Sequence, residues 1–79
     1  MFNTQVKYDR TVMAFGRNGE VKQTGIDVNP IGDDYVNVWA VNSKGQVSTS
    51  VMLQIPAESI DAVIELLQRA KNEMGVKAA

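Results

Sequence analysis

The side chains able to do chemistry in this 79-residue chain are few, and the missing ones narrow the choice. There is no His and no Cys. The usual general base near neutral pH and the commonest metal ligands are therefore absent. No Ser or Thr has a His partner for a nucleophilic triad. Asp27, Asp33 and Asp34 could meet a hard cation together with loop carbonyls. Asp33 and Asp34 are adjacent, however, and would point to opposite sides of a strand. EF-hand spacing is lacking, so these acids read as loop caps. "GRNG", 16–19, is too short for a phosphate loop and suits a hairpin turn instead. No catalytic residue, metal or cofactor is expected, and the chain reads as a binding protein rather than an enzyme.

The remaining candidate is aromatic. Trp39 is the one tryptophan, and in "YVNVWAV" it alternates with Val38 and Ala40 and falls in phase with Tyr35 and Asn37. Val36, Val38 and Ala40 make one side of that strand apolar, so Trp39 is expected on the wetter side. Three readings stay open for it. A one-residue slip in register would carry it into the core. It could anchor a protein interface, where Trp is enriched. It could also be a platform on which unpaired bases stack.

The elements that must hold Trp39 follow from pattern. "QVKYDRTVMAF", "EVKQTGIDV", "YVNVWAV" and "QVSTSVMLQI" read as four strands. Gly25 is expected to mark a bend or bulge. "NPIGDD" reads as a loop and "NSKG" as a turn. Short connections favour an antiparallel meander. In the last strand Val47, Thr49, Val51, Leu53 and Ile55 are expected on one side. Gln46, Ser48, Ser50, Met52 and Gln54 fall on the other. A helix is expected to open at Pro56 and end at Gly75, with Glu58 and Asp61 early and Arg69 and Lys71 late, as its dipole favours. Glu65 and Arg69 are spaced for an i, i+4 pair. The whole is a single α+β domain, 1–79: a four-stranded curved antiparallel sheet (about 5–55), one C-terminal helix (about 57–74) and a frayed tail (76–79).

That helix has more apolar surface than one sheet requires. Ala62, Val63, Ile64, Leu66, Leu67, Ala70 and Met74 spread with Ile60 over about 200°, against a little over ~100° for a helix covering one layer. Ile60, Val63, Ile64 and Leu67 are expected to roof the apolar side of the sheet. The excess predicts a homodimer whose helices meet through Val63, Leu66, Leu67, Ala70 and Met74. A chain of this size without disulfides gains from such a partner.

Charge adds a smaller constraint. The formal net charge is −1 and the pI about 5.2, which is not the footprint of a strongly basic nucleic-acid binder. Five of the eight Lys and Arg precede the helix: Lys7, Arg10, Arg17, Lys22 and Lys44. A basic face forms only if folding separates them from the interspersed acids. "MFNTQVKYDR" lacks the basic-then-apolar order of a signal peptide, and no apolar run approaches the roughly 20 residues of a membrane span. A cytoplasmic or nucleoid-associated location is expected.

From Asp34 to about Leu67, "DYVNVWAVNSKGQVSTSVMLQIPAESI" resembles the transcriptional coactivator family known as positive cofactor four, related in architecture to the Whirly proteins. Its plan is a strand with a tryptophan, a turn, a strand ending in a short apolar segment, and a helix. Setting "MLQI" on the family's strand end brings Trp39 onto the family's strand tryptophan. The resemblance implies a dimer that binds single-stranded or unpaired DNA through aromatic and basic residues, with Trp39 stacking on bases. Val47, Ser50 and Val51 stand where the family has cationic positions, and Ile60 where it has a second tryptophan. The cations must therefore come from Lys7, Arg10, Arg17, Lys22 and Lys44, with Tyr35 and Phe15 as further aromatics. The function so implied is binding of single-stranded DNA, or RNA, without sequence preference, in transcription, replication or recombination and alongside proteins of those processes. The rival is a homodimeric protein-interaction module, which the acidic pI favours.

Overall fold

A computed structural model describes residues 4–17 and 19–75. Four strands, β1 (Gln5–Gly16), β2 (Gly19–Ile31), β3 (Tyr35–Val41) and β4 (Val47–Pro56), form one antiparallel sheet in the order β1-β2-β3-β4. A 3-10 turn, Ala57–Ser59, leads into a single helix, α1 (Ile60–Glu73). The expected ββββα meander is the observed fold.

The turns follow from their residues. Gly16 pairs with Gly19 across a two-residue connection, and Gly19 takes φ 101°, a value that favours glycine. Asn18 in that turn and the tail at 76–79 lie outside the described residues. Asn42 organises the β3–β4 turn, its Oδ1 accepting from the backbone N–H groups of Lys44 (2.9 Å) and Gln46 (3.0 Å).

Two corrections concern strand ends. β2 runs on through Asn29, Pro30 and Ile31, which had read as loop. Pro30 is tolerated because Val28, donating to the Thr4 carbonyl at 2.8 Å, is the last described residue of β2 bonded to the β1 side. Residues two apart on a strand turn their N–H the same way, so the missing N–H of Pro30 falls on the β1 side and not in the ladder with β3. Pro56, expected to open the helix, instead ends β4 with extended backbone, φ −62° and ψ 146°. Gly75 does stop the helix, at φ 71°, its N–H bonded to Asn72 O at 3.1 Å. Glu65 and Arg69 do not close an ion pair.

Two irregularities bend the sheet. Residues 8–11 of β1 lie opposite Thr24 alone, and residues 48–51 of β4 lie opposite Ala40 alone. Extra residues on one strand bend it and raise its twist. Gly25, next to the first, leaves the room the bend needs: a Cβ there would stand 2.2 Å from the Val6 carbonyl oxygen. The curl brings the end of β1 to β4, although the two are not neighbours in strand order. A Cβ on Gly16 would lie 2.5 Å from Ser50 O and 2.8 Å from Val51 Cγ2.

The second irregularity also corrects the faces of β4. Leu53 and Ile55 share a face with Val38 and Val36, and Met52 and Gln54 share one with Trp39 and Asn37, as the alternation implied. Val47, however, pairs with Val41 and so sits on the Trp39 side. Ser48 and Ser50 are half-buried while Thr49 is exposed.

The largest correction is to the helix. α1 packs appreciably against only the turn before it, and does not roof the sheet. Ile60 and Val63 are half-buried, but Ile64 is 48% exposed and Leu67 65%. The bond from Ala57 N–H to Asp34 O (2.9 Å) ties the connection to the sheet's corner, and α1 leaves from there. Buried apolar residues among those described are accordingly Ala40 and Val41 alone.

Candidate nucleic-acid interface

Register assigns each side chain of the sheet's centre to a face, because residues directly opposite one another across strands share one. One face is apolar: Val6 beside Ile26 and Ala40, Val28 beside Val38 and Leu53, Pro30 beside Val36 and Ile55. The other is polar and aromatic. One row across it reads Gln5, Asp27, Trp39, Met52, and the next reads Asn29, Asn37, Gln54. Trp39 therefore stands in the expected register, half-buried, and a slip into the core is excluded.

Polar bonding holds this face in place. Asp27 is 7% exposed. Its Oδ2 accepts from Gln5 Nε2 at 2.9 Å and its Oδ1 from Asn29 Nδ2. Gln5 Nε2 also donates to the Gly45 carbonyl at 3.2 Å, which ties the β3–β4 turn to β1. A carboxylate left without donors at this depth would be costly, and here both oxygens have one. The result is a fixed floor beside the indole.

The curl forms a cleft of about 470 Å³, with Ala14, Phe15 and Gly16 of β1 on one side, Ser50 to Leu53 of β4 on the other, and Trp39 between Val38 and Ala40, with Ile26, of the apolar face. Phe15 is 71% exposed at its rim. Beside it lies a second cleft of about 370 Å³, lined by Arg17, Thr49, Ser50 and Met52, so Ser50 and Met52 border both. The shared residues join a cleft that includes Trp39 and Phe15 to one that includes Arg17 and the hydroxyls of Thr49 and Ser50.

The other expected residues disperse. Lys7 and Lys44 meet at a third cleft of about 270 Å³ that also includes Gln5, Thr24 and Asn42. Lys7 pairs with Gly25, hence shares the Trp39 face. Tyr35 is on that face too, but four residues along β3 and outside the Trp39 cleft. Arg10 lies exposed in the stretch opposite Thr24 and Lys22 pairs with Met13; neither lines these three clefts. Among the described residues none of these cations is paired with a carboxylate.

Sequence reasoning missed Asp27, Gln5, Met52, Ser50 and Thr49. Ser50 and Met52 had a signal, since the alternation of the last strand sets them on the side away from Val51 and Leu53; Thr49, expected on that apolar side, had none. Asp27 had none, because its partner Gln5 is 22 residues away. No group of three or more acidic side chains among the described residues is arranged to hold a metal ion.

On the helix, Leu66 is 62% and Met74 75% exposed, Ala70 is exposed, and Val63 is half-buried. Leu66, Arg69, Ala70 and Glu73 line a shallow depression along it. No family model matches the chain, and no curated protein or solved structure matches it either.

Proposed function

We propose that this protein is a homodimeric binder of single-stranded or unpaired DNA, a binding module and not an enzyme. The observation that carries the reading is the adjacency of the Trp39 cleft to the Arg17–Thr49–Ser50 cleft. An indole wall accepts any base, because every base has a π-face, and a neighbouring guanidinium accepts the phosphate. Lys7 and Lys44 form a second cationic point on the same sheet. With so few cations the affinity depends on salt more shallowly than for a basic protein. The resemblance to the positive cofactor four family points the same way, toward transcription, replication or recombination.

The dimer rests on area. The accessible surface is 6500 Å², whereas a folded monomer of 8.7 kDa exposes about 4,700 Å². A standard interface removes about 800 Å² from each partner. Apolar side chains stand open on α1, at Ile64, Leu66, Leu67 and Met74, and on the apolar sheet face, at Val6 and Leu53, as well as at Phe15, Val47 and Met52 elsewhere on the sheet. A helix of 14 residues is marginal in water unless its apolar side is packed. A second copy presents the same two surfaces and covers both at once.

The test is a titration with labelled oligo-dT and with duplex of equal length at two salt concentrations, following Trp39 fluorescence. Quenching by the single strand, weakened at high salt, is the expected result. Trp39→Ala is expected to lower affinity roughly 5- to 150-fold, the equivalent of about 1–3 kcal/mol for one stacked base. Single-strand binding by Trp39→Ala equal to that of the parent protein removes the stacking claim.

A further inference from the structure

The row next to Trp39 holds two amides whose hydrogen bonding is incomplete. Gln54 Nε2 donates to Asn37 Oδ1 at 3.0 Å across β3 and β4. Neither side chain has another partner among the described residues. Asn37 Nδ2 is left as a free donor and Gln54 Oε1 as a free acceptor. Were both amides turned over, the bond would reverse and the pair would still offer one of each. Asn37 is two residues from Trp39 on the same face of β3, and Gln54 two residues from Met52 on the same face of β4, so the pair borders the stacking wall. Asn29, next in the row, has its Nδ2 committed to Asp27 and helps fix the floor.

We infer that Asn37 and Gln54 form a reader of the hydrogen-bonding edge of an unpaired base stacked on Trp39. The inference rests on the single-strand reading above. Each base carries a donor and an acceptor side by side on the edge it uses for pairing, and recognition of unpaired bases uses that edge. A pair with one free donor and one free acceptor matches that edge in any of the bases. In a duplex the same edges are already occupied, so the amides discriminate against paired strands without selecting a sequence. Along β4 the order is then Thr49 and Ser50 with Arg17 for the phosphate, Met52 with Trp39 for the ring, and Gln54 with Asn37 for the edge.

The experiment compares oligo-dT with an oligomer of the same length in which difluorotoluene replaces each thymine, a ring of the same shape that stacks but hydrogen-bonds poorly. The protein is expected to bind the substituted oligomer about 2- to 10-fold more weakly for each hydrogen bond lost. Asn37→Ala/Gln54→Ala is expected to bind oligo-dT as weakly as the parent protein binds the substituted oligomer, with no further loss on substitution. Gln54→Ala alone changes an exposed side chain and is expected to show part of that loss, whatever the double variant does to folding. Equal binding of the two oligomers by the parent protein, with Trp39 quenching intact, overturns the edge reader and leaves the stacking site standing. So does undiminished discrimination by Gln54→Ala and the double variant. Absence of binding and of quenching with oligo-dT overturns the single-strand reading, and the edge reader with it.

Discussion

The two faces of the sheet are finished to different degrees. On the Trp39 face the centre is bonded within one chain: Asp27 has donors from both Gln5 and Asn29, and beside it Gln54 donates to Asn37, a pair left with one donor and one acceptor open. On the opposite face, and along α1, apolar side chains stand open; Leu53 and Val6 are each 55% exposed and Leu66 62%. The centre of the Trp39 face is therefore held by hydrogen bonds inside one chain, whereas the apolar layer is left uncovered by that chain. Hydrogen bonds are directional and close locally, so a curled sheet makes such bonds alone. Burial needs only area, and area can be supplied by a second molecule.

The sharpest way to break this contrast is to spoil the open half. Leu66→Glu places a charge where the partner is expected to pack. Burial of one leucine contributes about 1.5–3 kcal/mol, and a twofold contact counts it twice. The expected outcome is loss of dimer mass in sedimentation, together with a lower and more concentration-dependent melting temperature. If mass and melting are the same as for the parent protein, Leu66 lies outside the contact. A melting temperature of the parent protein indifferent to a hundredfold dilution would remove the dimer itself.

The next effect tests whether the polar face is truly built within one chain. Gly25→Val would drive its side chain into the Val6 carbonyl, 2.2 Å from the position of a Cβ, and β1 must move to admit it. Overpacking of this kind costs about 1–3 kcal/mol. Since β1 carries Gln5 and forms a wall of the Trp39 cleft, stability and single-strand affinity are expected to fall together while the dimer mass is kept at high protein concentration. Loss of dimer mass in this variant would show that the two faces are coupled after all.

How much of this was legible depends on how far each partner lies along the chain. β3 and the second half of β4 were readable, because strict alternation fixes their faces; the pairing of Trp39 with Met52 came only with the register. The phase change between residues 48 and 51 was not, since "VSTSV" keeps alternating through it. Pro30 misled in the other direction: proline breaks most strands, but here its missing N–H falls on the β1 side and the pairing with Val36 of β3 is kept. The cluster around Asp27 was invisible, because burial of an acid is decided by residues that only the folded sheet brings near. The apolar arc of α1 was legible as a quantity of surface, but periodicity does not say which molecule covers it.

Asp27→Asn probes the floor more finely. The carboxylate accepts from both Gln5 and Asn29; an amide has one acceptor oxygen and turns an N–H toward the other donor. An unmade bond at a buried site costs about 1–3 kcal/mol. A drop of that size in denaturant midpoint is expected at unchanged slope, read at a protein concentration that keeps the dimer. A midpoint matching the parent protein would mean that the cluster adds nothing to the face.

The smallest effect separates the phosphate point from the stacking wall. Arg17 is exposed in the turn after β1 and touches the rest of the site only through the cleft it shares with Thr49, Ser50 and Met52. Arg17→Gln removes its charge and is expected to leave folding and dimer mass as they are. If Arg17 neutralises one phosphate per subunit, the slope of log affinity against log salt becomes shallower by about 0.7 for each subunit engaged on a single strand. Trp39 quenching at saturation should persist, because the stack does not need the guanidinium. An unaltered slope would place the phosphate elsewhere, with Lys7 and Lys44 as the remaining cationic pair on the sheet. The stacking wall would then stand without its neighbour, and the strand would cross the Trp39 face toward the β3–β4 turn instead of toward the β1–β2 turn.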